Sequence, residues 1–235
     1  MRNSFSPDNA SFDEYATDYD LALHQGLSVT GEDKLYFARG RIDWLRRCLQ
    51  RLAQHPKTAM DFGCGTGSSV RYLLELLGSQ SVLGLDVSEK SLEVARREND
   101  AQQTRFMLMG QYEPKEEIDL AFCNGVFHHV PVAKRPSTMA YIYNSLRPGG
   151  LFALWENNPW NPGTRYVMSR IPFDRDAITL SAPEARRLAQ ATGFEVLRTD
   201  FLFIFPKPLQ WLRGLEPYLA RTPLGAQYQI LCRKP

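Results

Sequence analysis

The 235-residue chain has little of what marks the specialised classes of protein. Its four cysteines (Cys48, Cys64, Cys123, Cys232) are far apart, with no Cys-x-x-Cys pair and no histidine at zinc-ligand spacing. A disulfide framework and a cysteine-type zinc site are thereby excluded, no metal is expected, and reduced thiols point to a cytoplasmic protein. No apolar run approaches membrane-spanning length, and the opening MRNSFSPDNASFDEY lacks the apolar core of a signal peptide. Neither sign of charge dominates: the net charge is +2, and electrostatics make no case for nucleic acid. Repeats and low-complexity linkers are absent as well. The remaining composition, 43% hydrophobic and 23% charged, is that of an ordinary globular protein, long enough for one substantial α/β domain.

What is present is alternation. Short apolar runs, TAMDF (58–62), SVLGLD (81–86), RFMLM (105–109), IDLAFC (118–123), LFALWE (151–156), FEVLRTDFLFIF (194–205) and AQYQILCRK (226–234), read as strands. Helical patterns separate most of them. Val70, Leu73, Leu74 and Leu77 recur at i, i+3, i+4, i+7 and stop at Gly78; Ser88 caps a helix that buries Leu92 and Ala95. Ser181, Pro183 and Glu184 start another, which Gly193 ends. Strands alternating with helices imply a Rossmann-like, seven-stranded, mostly parallel sheet with helices on both faces. Residues 1–40 depart from the alternation and read as a helical lid over the domain formed by 41–235. Residues 206–225 read as an insertion between the last two strands.

In such sheets ligands sit beyond the carboxyl ends of the strands, near the switch in strand order. After the first strand comes Asp61-Phe62-Gly63-Cys64-Gly65-Thr66-Gly67. Alternate glycines permit a tight turn and close approach of backbone to ligand, and the helix that follows points its amide groups there. A dinucleotide fingerprint would place glycine where Ser68 stands, and a triphosphate loop would require a lysine that is missing. Asp61 suits a ligand with an ammonium group, and Asp86, ending the second strand, suits a ribose diol or a helix cap.

These residues resemble class I S-adenosylmethionine-dependent methyltransferases, from about residue 40 to the C-terminus. MDFGCGTGSS resembles the first motif of that family, VLGLDVSEKSLEVAR the second, IDLAFCNGVFHHVP the fourth, and SLRPGGLFALWE the run into the fifth strand. The resemblance implies S-adenosyl-L-methionine as cofactor. Asp61, Gly63, Cys64, Gly65, Thr66 and Gly67 would hold its methionine part, Asp86 its ribose, and Val87 its adenine. Gly110-Gln111 stands where the family usually has Gly-Asp near the adenine amino group, and Asn124, Gly125 and Val126 would lie beneath the cofactor.

Methyl transfer from a sulfonium is an in-line displacement in which alignment and desolvation supply much of the acceleration. An oxygen or nitrogen acceptor can also require a base. His129, ahead of His128, stands where a base would sit, although paired histidines there also serve to shape the pocket. Glu156 is the second candidate, as base or as acceptor of loop amides. The run WENNPWNPGTR (155–165) places Glu156, Asn157, Asn158, Trp160 and Arg165 on the acceptor side, and Tyr15 and Tyr19 share one helix face in the lid. The Asn/Asp-Pro-Pro-aromatic run of base-modifying amino methyltransferases is missing after the fourth strand. The acceptor is therefore expected to be a small metabolite, sugar or lipid-linked molecule, the last allowing peripheral membrane contact through residues 211–219. Two rival readings are a cofactor-binding partner subunit without activity and a nicotinamide-dependent oxidoreductase.

Overall fold

The structure, a computed structural model, describes residues 26–27, 30–172, 174–175 and 177–235. Seven strands form one sheet: β1 (Thr58–Phe62), β2 (Ser81–Asp86), β3 (Thr104–Leu108), β4 (Ile118–Asn124), β5 (Leu146–Asn157), β6 (Glu195–Leu202) and β7 (Gln227–Arg233). Their order is β3-β2-β1-β4-β5-β7-β6, and only β7 runs antiparallel to its neighbours. The order reverses between β1 and β4, which opens a crevice at their carboxyl ends. The mostly parallel sheet expected from the alternation is thus the one found.

Local chemistry sets the helices. α1 (Lys34–Arg51) begins at Asp33, whose carboxylate accepts the Tyr36 N–H, and it runs through residue 40 without a break. α2 (Val70–Leu77) buries Val70 and Leu73 and ends at Gly78, whose φ of 69° lies in the left-handed region. α3 (Glu89–Glu98) is capped by the Ser88 hydroxyl and buries Leu92 and Ala95. α4 (Arg135–Ser145) follows β4, and α5 (Pro162–Arg170) is capped by Asn161. α6 (Ala182–Thr192) opens with a capping box between Ser181 and Glu184 and stops at Gly193. Tyr15 and Tyr19 lie outside the described residues.

The two faces of the sheet are sorted by the two-residue period of its strands. Along β5, Leu151, Ala153 and Trp155 face α1 and α2. Phe152 and Leu154 point the other way, into the core shared with α4 and α6. The same alternation turns Glu156 away from Trp155, toward the loop that follows β4.

The sixth strand is shorter than its apolar run implies. β6 ends at Leu202, and Phe203 takes a left-handed φ of 62°. The cause lies in the insertion, a 3₁₀ stretch (Lys207–Leu215) followed by the short α7 (Glu216–Leu219). The Glu216 carboxylate accepts the amide N–H groups of Phe203, Ile204 and Phe205 at 3.3, 3.1 and 3.0 Å. These donors therefore serve a carboxylate instead of a ladder, and the chain turns. Phe203 then packs edge-on to Phe37, 5.0 Å between ring centroids, while Phe205 reaches the crevice. Trp211 and Tyr218 are largely exposed and do not line it. Among the described residues no helix is long and apolar enough to cross a membrane.

Trp155 is fully buried, and among the described residues its indole N–H meets no acceptor. Trp155→Ala should cost about 3–5 kcal/mol in chemical denaturation, the usual range for removing a buried aromatic. Trp155→Phe should cost far less, because the orphan donor leaves with the indole.

Candidate functional site

The turn after β1 is pinned to β2: Gly63 and Cys64 both donate their N–H groups to the Leu85 carbonyl, at 2.7 and 3.0 Å. Gly63, Gly65 and Gly67 take φ values of 74°, 52° and 79°, which side-chain-bearing residues rarely adopt. A Cβ at Gly63 would come within 2.3 Å of Val126, so the β1 and β4 loops touch there. A Cβ at Gly65 would meet nothing within 4 Å, since that glycine borders open space. Its N–H donates to Asp86 Oδ2 at 2.8 Å, and Ser88 N–H donates to Asp86 Oδ1 at 2.9 Å. Asp86 thus ties the glycine turn to the start of α3, while Ser88 performs the capping.

Two cavities open at this crevice and share Gly63, Gly65, Thr66, Asn124, Gly125 and His129 as walls. The smaller one has Asp86 beside Phe62, Val87, Met109, Val126 and Val130, a polar anchor next to an apolar slot. The larger, of about 480 Å³, takes in Asp61, Cys64, Arg41 and Asn157, and is also lined by Tyr36, Phe37 and Arg213. Gly67 lines neither and rests against Ala95 and Asn99. Gly110 and Gln111 occupy a 3₁₀ turn with exposed positions, and Met109 lines the slot in their stead.

Asp61 is buried at the end of β1. Burial raises its carboxyl to about 7, Asp86 adds to the rise, and Arg41 pulls against it. Arg41, itself buried on α1, donates from Nε to Gln227 Oε1 at 2.9 Å, and Gln227 Nε2 donates to Asn157 Oδ1 at 3.2 Å.

Beyond β4 the site becomes a buried polar chain. Glu156 Oε1 accepts the Phe127 N–H at 2.7 Å, and Oε2 lies 2.6 Å from His128 Nδ1. His128 Nε2 and His129 Nε2 each lie 3.3 Å from the same oxygen, Oδ1 of Asp174. Burial by itself would lower His128, but Glu156 and Asp174 outweigh it and raise the imidazole to about 10. Burial also works against Asp174, yet the hydrogen bonds from both histidines bring it down to about 2. His129 moves down instead, chiefly through burial, with charged His128 contributing. At neutral pH His128 is therefore a poor proton acceptor, and His129 is neutral. The Arg135 guanidinium braces this loop, donating to the Phe127, Val130 and Ile178 carbonyls.

The residues of the 155–165 run divide. Asn157 lines the larger cavity. Glu156 lines neither cavity and acts through His128, so it does not reach an acceptor directly. Asn158 is buried in structural bonds, its amide donating to the Pro223 and Gly225 carbonyls at 3.1 and 2.8 Å. Trp160 is 54% exposed and Arg165 is exposed, and neither borders a cavity. The reason is that β5 runs on to Asn157 and α5 begins at Pro162, so the loop is short and points its middle outward. Asp174, Arg41 and Gln227 carry no motif in the sequence and reach the site only through tertiary packing.

A family model for a methyltransferase domain matches residues 60–152. The chain is similar to a trans-aconitate 2-methyltransferase of Rhizobium rhizogenes, 33% identical over 205 residues, covering 76% of this chain and 77% of that one. It is also similar to the enzyme of that name from Rhizobium etli, 27% identical over 192 residues, with 72% and 73% covered. Its fold resembles that of an S-adenosylmethionine-dependent methyltransferase from Mesorhizobium loti: TM-score 0.57, 20% identity, 75% of this chain and 90% of that one covered. A geranyl diphosphate C-methyltransferase from Streptomyces coelicolor, solved with S-adenosyl-L-homocysteine, has a TM-score of 0.57 at 18% identity, with 76% and 70% covered. The chain belongs to the class I S-adenosylmethionine-dependent methyltransferases, and S-adenosyl-L-methionine is its methyl donor. The nicotinamide and non-catalytic readings both yield to this assignment.

The residues present fit that cofactor. The open side of Gly65 leaves room for it, Asp86 with the apolar slot matches a nucleoside, and Asp61 matches an ammonium. A raised carboxyl has a consequence. Between the unfolded aspartate value of about 4 and its folded value of about 7, the ligand-free protein loses stability as pH rises, because folding then favours the protonated form. An ammonium beside Asp61 restores the carboxylate. Binding of S-adenosylhomocysteine should therefore release a proton below pH 7, seen by calorimetry in buffers of different ionisation heat, and Asp61→Asn should abolish that release. Asp86→Ala should weaken the same ligand about tenfold to a hundredfold, the worth of hydrogen bonds to a charged group.

Proposed function

We propose that the enzyme transfers the methyl group to a carboxylate oxygen of a small polycarboxylic acid, of the kind named in its trans-aconitate 2-methyltransferase relatives. The observation that carries this reading is the buried Arg41 in the wall of the larger cavity, which Lys34 and the Glu32-paired Arg213 also line. A buried guanidinium is costly to desolvate and is suited to an anionic ligand, which it can grip through two parallel hydrogen bonds.

The proton chemistry supports the same reading. A carboxylate is already ionised at neutral pH, so its methylation requires no base. His128, held protonated between Glu156 and Asp174, supplies positive charge near the acceptor and no acceptor for a proton. When bound, S-adenosyl-L-methionine supplies an electrophilic methyl carbon with a neutral thioether as leaving group. The residues of this chain orient the acceptor, exclude water and align it for in-line attack. Arg41, Gln227 and Asn157 form a hydrogen-bonded rail along the wall on which the acceptor would lie. A second reading, transfer to a hydroxyl, is favoured by one observation: His129 is neutral and borders both cavities.

Labelled-methyl transfer to a panel of di- and tricarboxylic acids, trans-aconitate first, tests the proposal. With an acid as acceptor, Arg41→Ala should raise the KM for it about tenfold or more, with cofactor affinity measured separately because Arg41 also acts on Asp61. In chelator-treated protein, where His129 can act only as a base, His129→Ala should then change kcat little relative to the parent treated alike, whereas a hydroxyl acceptor would lose about 10²–10⁴ with that base. Methylation of an uncharged acceptor, with no acid on the panel accepted, would refute it.

A further inference from the structure

Two imidazoles and a carboxylate converge on one point at the edge of the larger cavity. We propose that His128 Nε2, His129 Nε2 and Asp174 Oδ1 form a site for a divalent transition metal, with its open positions facing the acceptor. Nothing in the sequence spacing announces it, because Asp174 arrives from the irregular segment after α5.

The two nitrogen-to-oxygen distances are those of a metal's ligand shell. Both nitrogens stand 3.3 Å from the same carboxylate oxygen, and all three atoms lie within 4.8 Å of one another. Tetrahedral zinc with bonds of about 2.0–2.2 Å separates its ligand atoms by roughly 3.3–3.6 Å. A charge-assisted N–H···O bond would draw in to about 2.7–2.9 Å. His128 meets that shorter standard on its other side, where Nδ1 lies 2.6 Å from Glu156 Oε2. Once the Nε2 proton is displaced, the proton on Nδ1 stays with Glu156 and the Nε2 lone pair is turned to the cavity, the arrangement in which a metal-bound histidine is oriented by a carboxylate behind it.

The donor set also selects the metal. Two imidazoles and one carboxylate suit zinc, cobalt, nickel, iron(II) or manganese, whereas calcium and magnesium require shells of oxygen. Three protein ligands leave at least one position open, as in catalytic sites. All three residues line the larger cavity, so that position faces the space assigned above to the acceptor. There the metal would chelate oxygen atoms of a polycarboxylic acid and hold the reacting carboxylate in line. This last step rests on the acid-acceptor reading; the metal centre does not. In the metal-free protein a proton on His128 holds the cluster together, and one proton must leave as the metal enters. Affinity should therefore rise with pH.

The test is a titration of chelator-treated, full-length protein with Co²⁺ alone, followed by its visible ligand-field absorption, and then displacement by Zn²⁺. One equivalent should bind with the bands of four- or five-coordinate cobalt. Glu156→Gln should weaken it about 10–100-fold, and His129→Ala and Asp174→Ala should weaken it at least as much. His129 is only part-buried, so its variant keeps the test valid if Asp174→Ala fails to fold. Absence of a saturable cobalt spectrum, or one unchanged in His129→Ala, overturns the site. S-adenosylhomocysteine calorimetry on the same sample separates the readings. Cofactor binding without cobalt removes the metal centre and leaves the methyltransferase intact. Cobalt binding in a protein that methylates no acid removes the acceptor reading and leaves the centre.

Discussion

The bond between Glu156 and His128 is the hinge on which the acceptor side of this enzyme is built. It joins the end of strand β5 to the loop after β4, and Asp174 continues it into the segment after α5. Each of the three side chains is buried, so none can be left without its partners. Removing any one strands the others in a medium where an unpaired polar group is expensive. That mutual dependence holds the two histidines in one orientation, a condition for proton or metal chemistry at this place. Arg135 adds a second brace through three backbone carbonyls, without entering either cavity as a ligand group.

The cofactor side follows a different logic. There the backbone does most of the shaping: three left-handed glycines fold the turn back on itself, and Asp86 fastens the turn to α3. Charge is then distributed between the two cavities, with Asp86 facing the slot and Asp61 facing the larger space. Burial and then Asp86 raise the cost of ionising Asp61, and Arg41 relieves it from α1. A ligand that brings both a diol and a positive charge settles both at once. On that reading, selectivity for a sulfonium amino-acid nucleoside over a nicotinamide dinucleotide would have an electrostatic basis in addition to the missing glycine at Ser68.

The acceptor wall comes from parts of the chain that are far apart. α1 contributes Arg41, β7 contributes Gln227, and the segment after β6 contributes Phe205 because Glu216 stops that strand early. Arg213 reaches across to Glu32 at 2.9 Å and lies over the Tyr36 ring, linking the 206–225 insertion to the segment before α1. Residues of the insertion thus line the larger cavity but not the slot beside Asp86.

What could be read from the sequence was whatever depends on short-range pattern. The strand runs, the stripe of Val70 and Leu73, the caps at Ser88 and Ser181 and the glycine turn each obey a local rule, and four motifs in order identified the family. The fate of WENNPWNPGTR was beyond such rules. Alternation along a strand shows that Trp155 and Glu156 point to opposite faces, but not which face carries the site. Whether Asn158 meets an acceptor or the Gly225 carbonyl depends on where a segment 67 residues away comes to lie. The extra strand length of FLFIF was lost for the same reason, since Glu216 supplied the acceptor that its amides would otherwise have sought in the sheet. Asp174 has no motif at all. Tertiary structure alone brought its carboxylate to both histidines, because only packing sets distances between groups that the chain itself leaves independent.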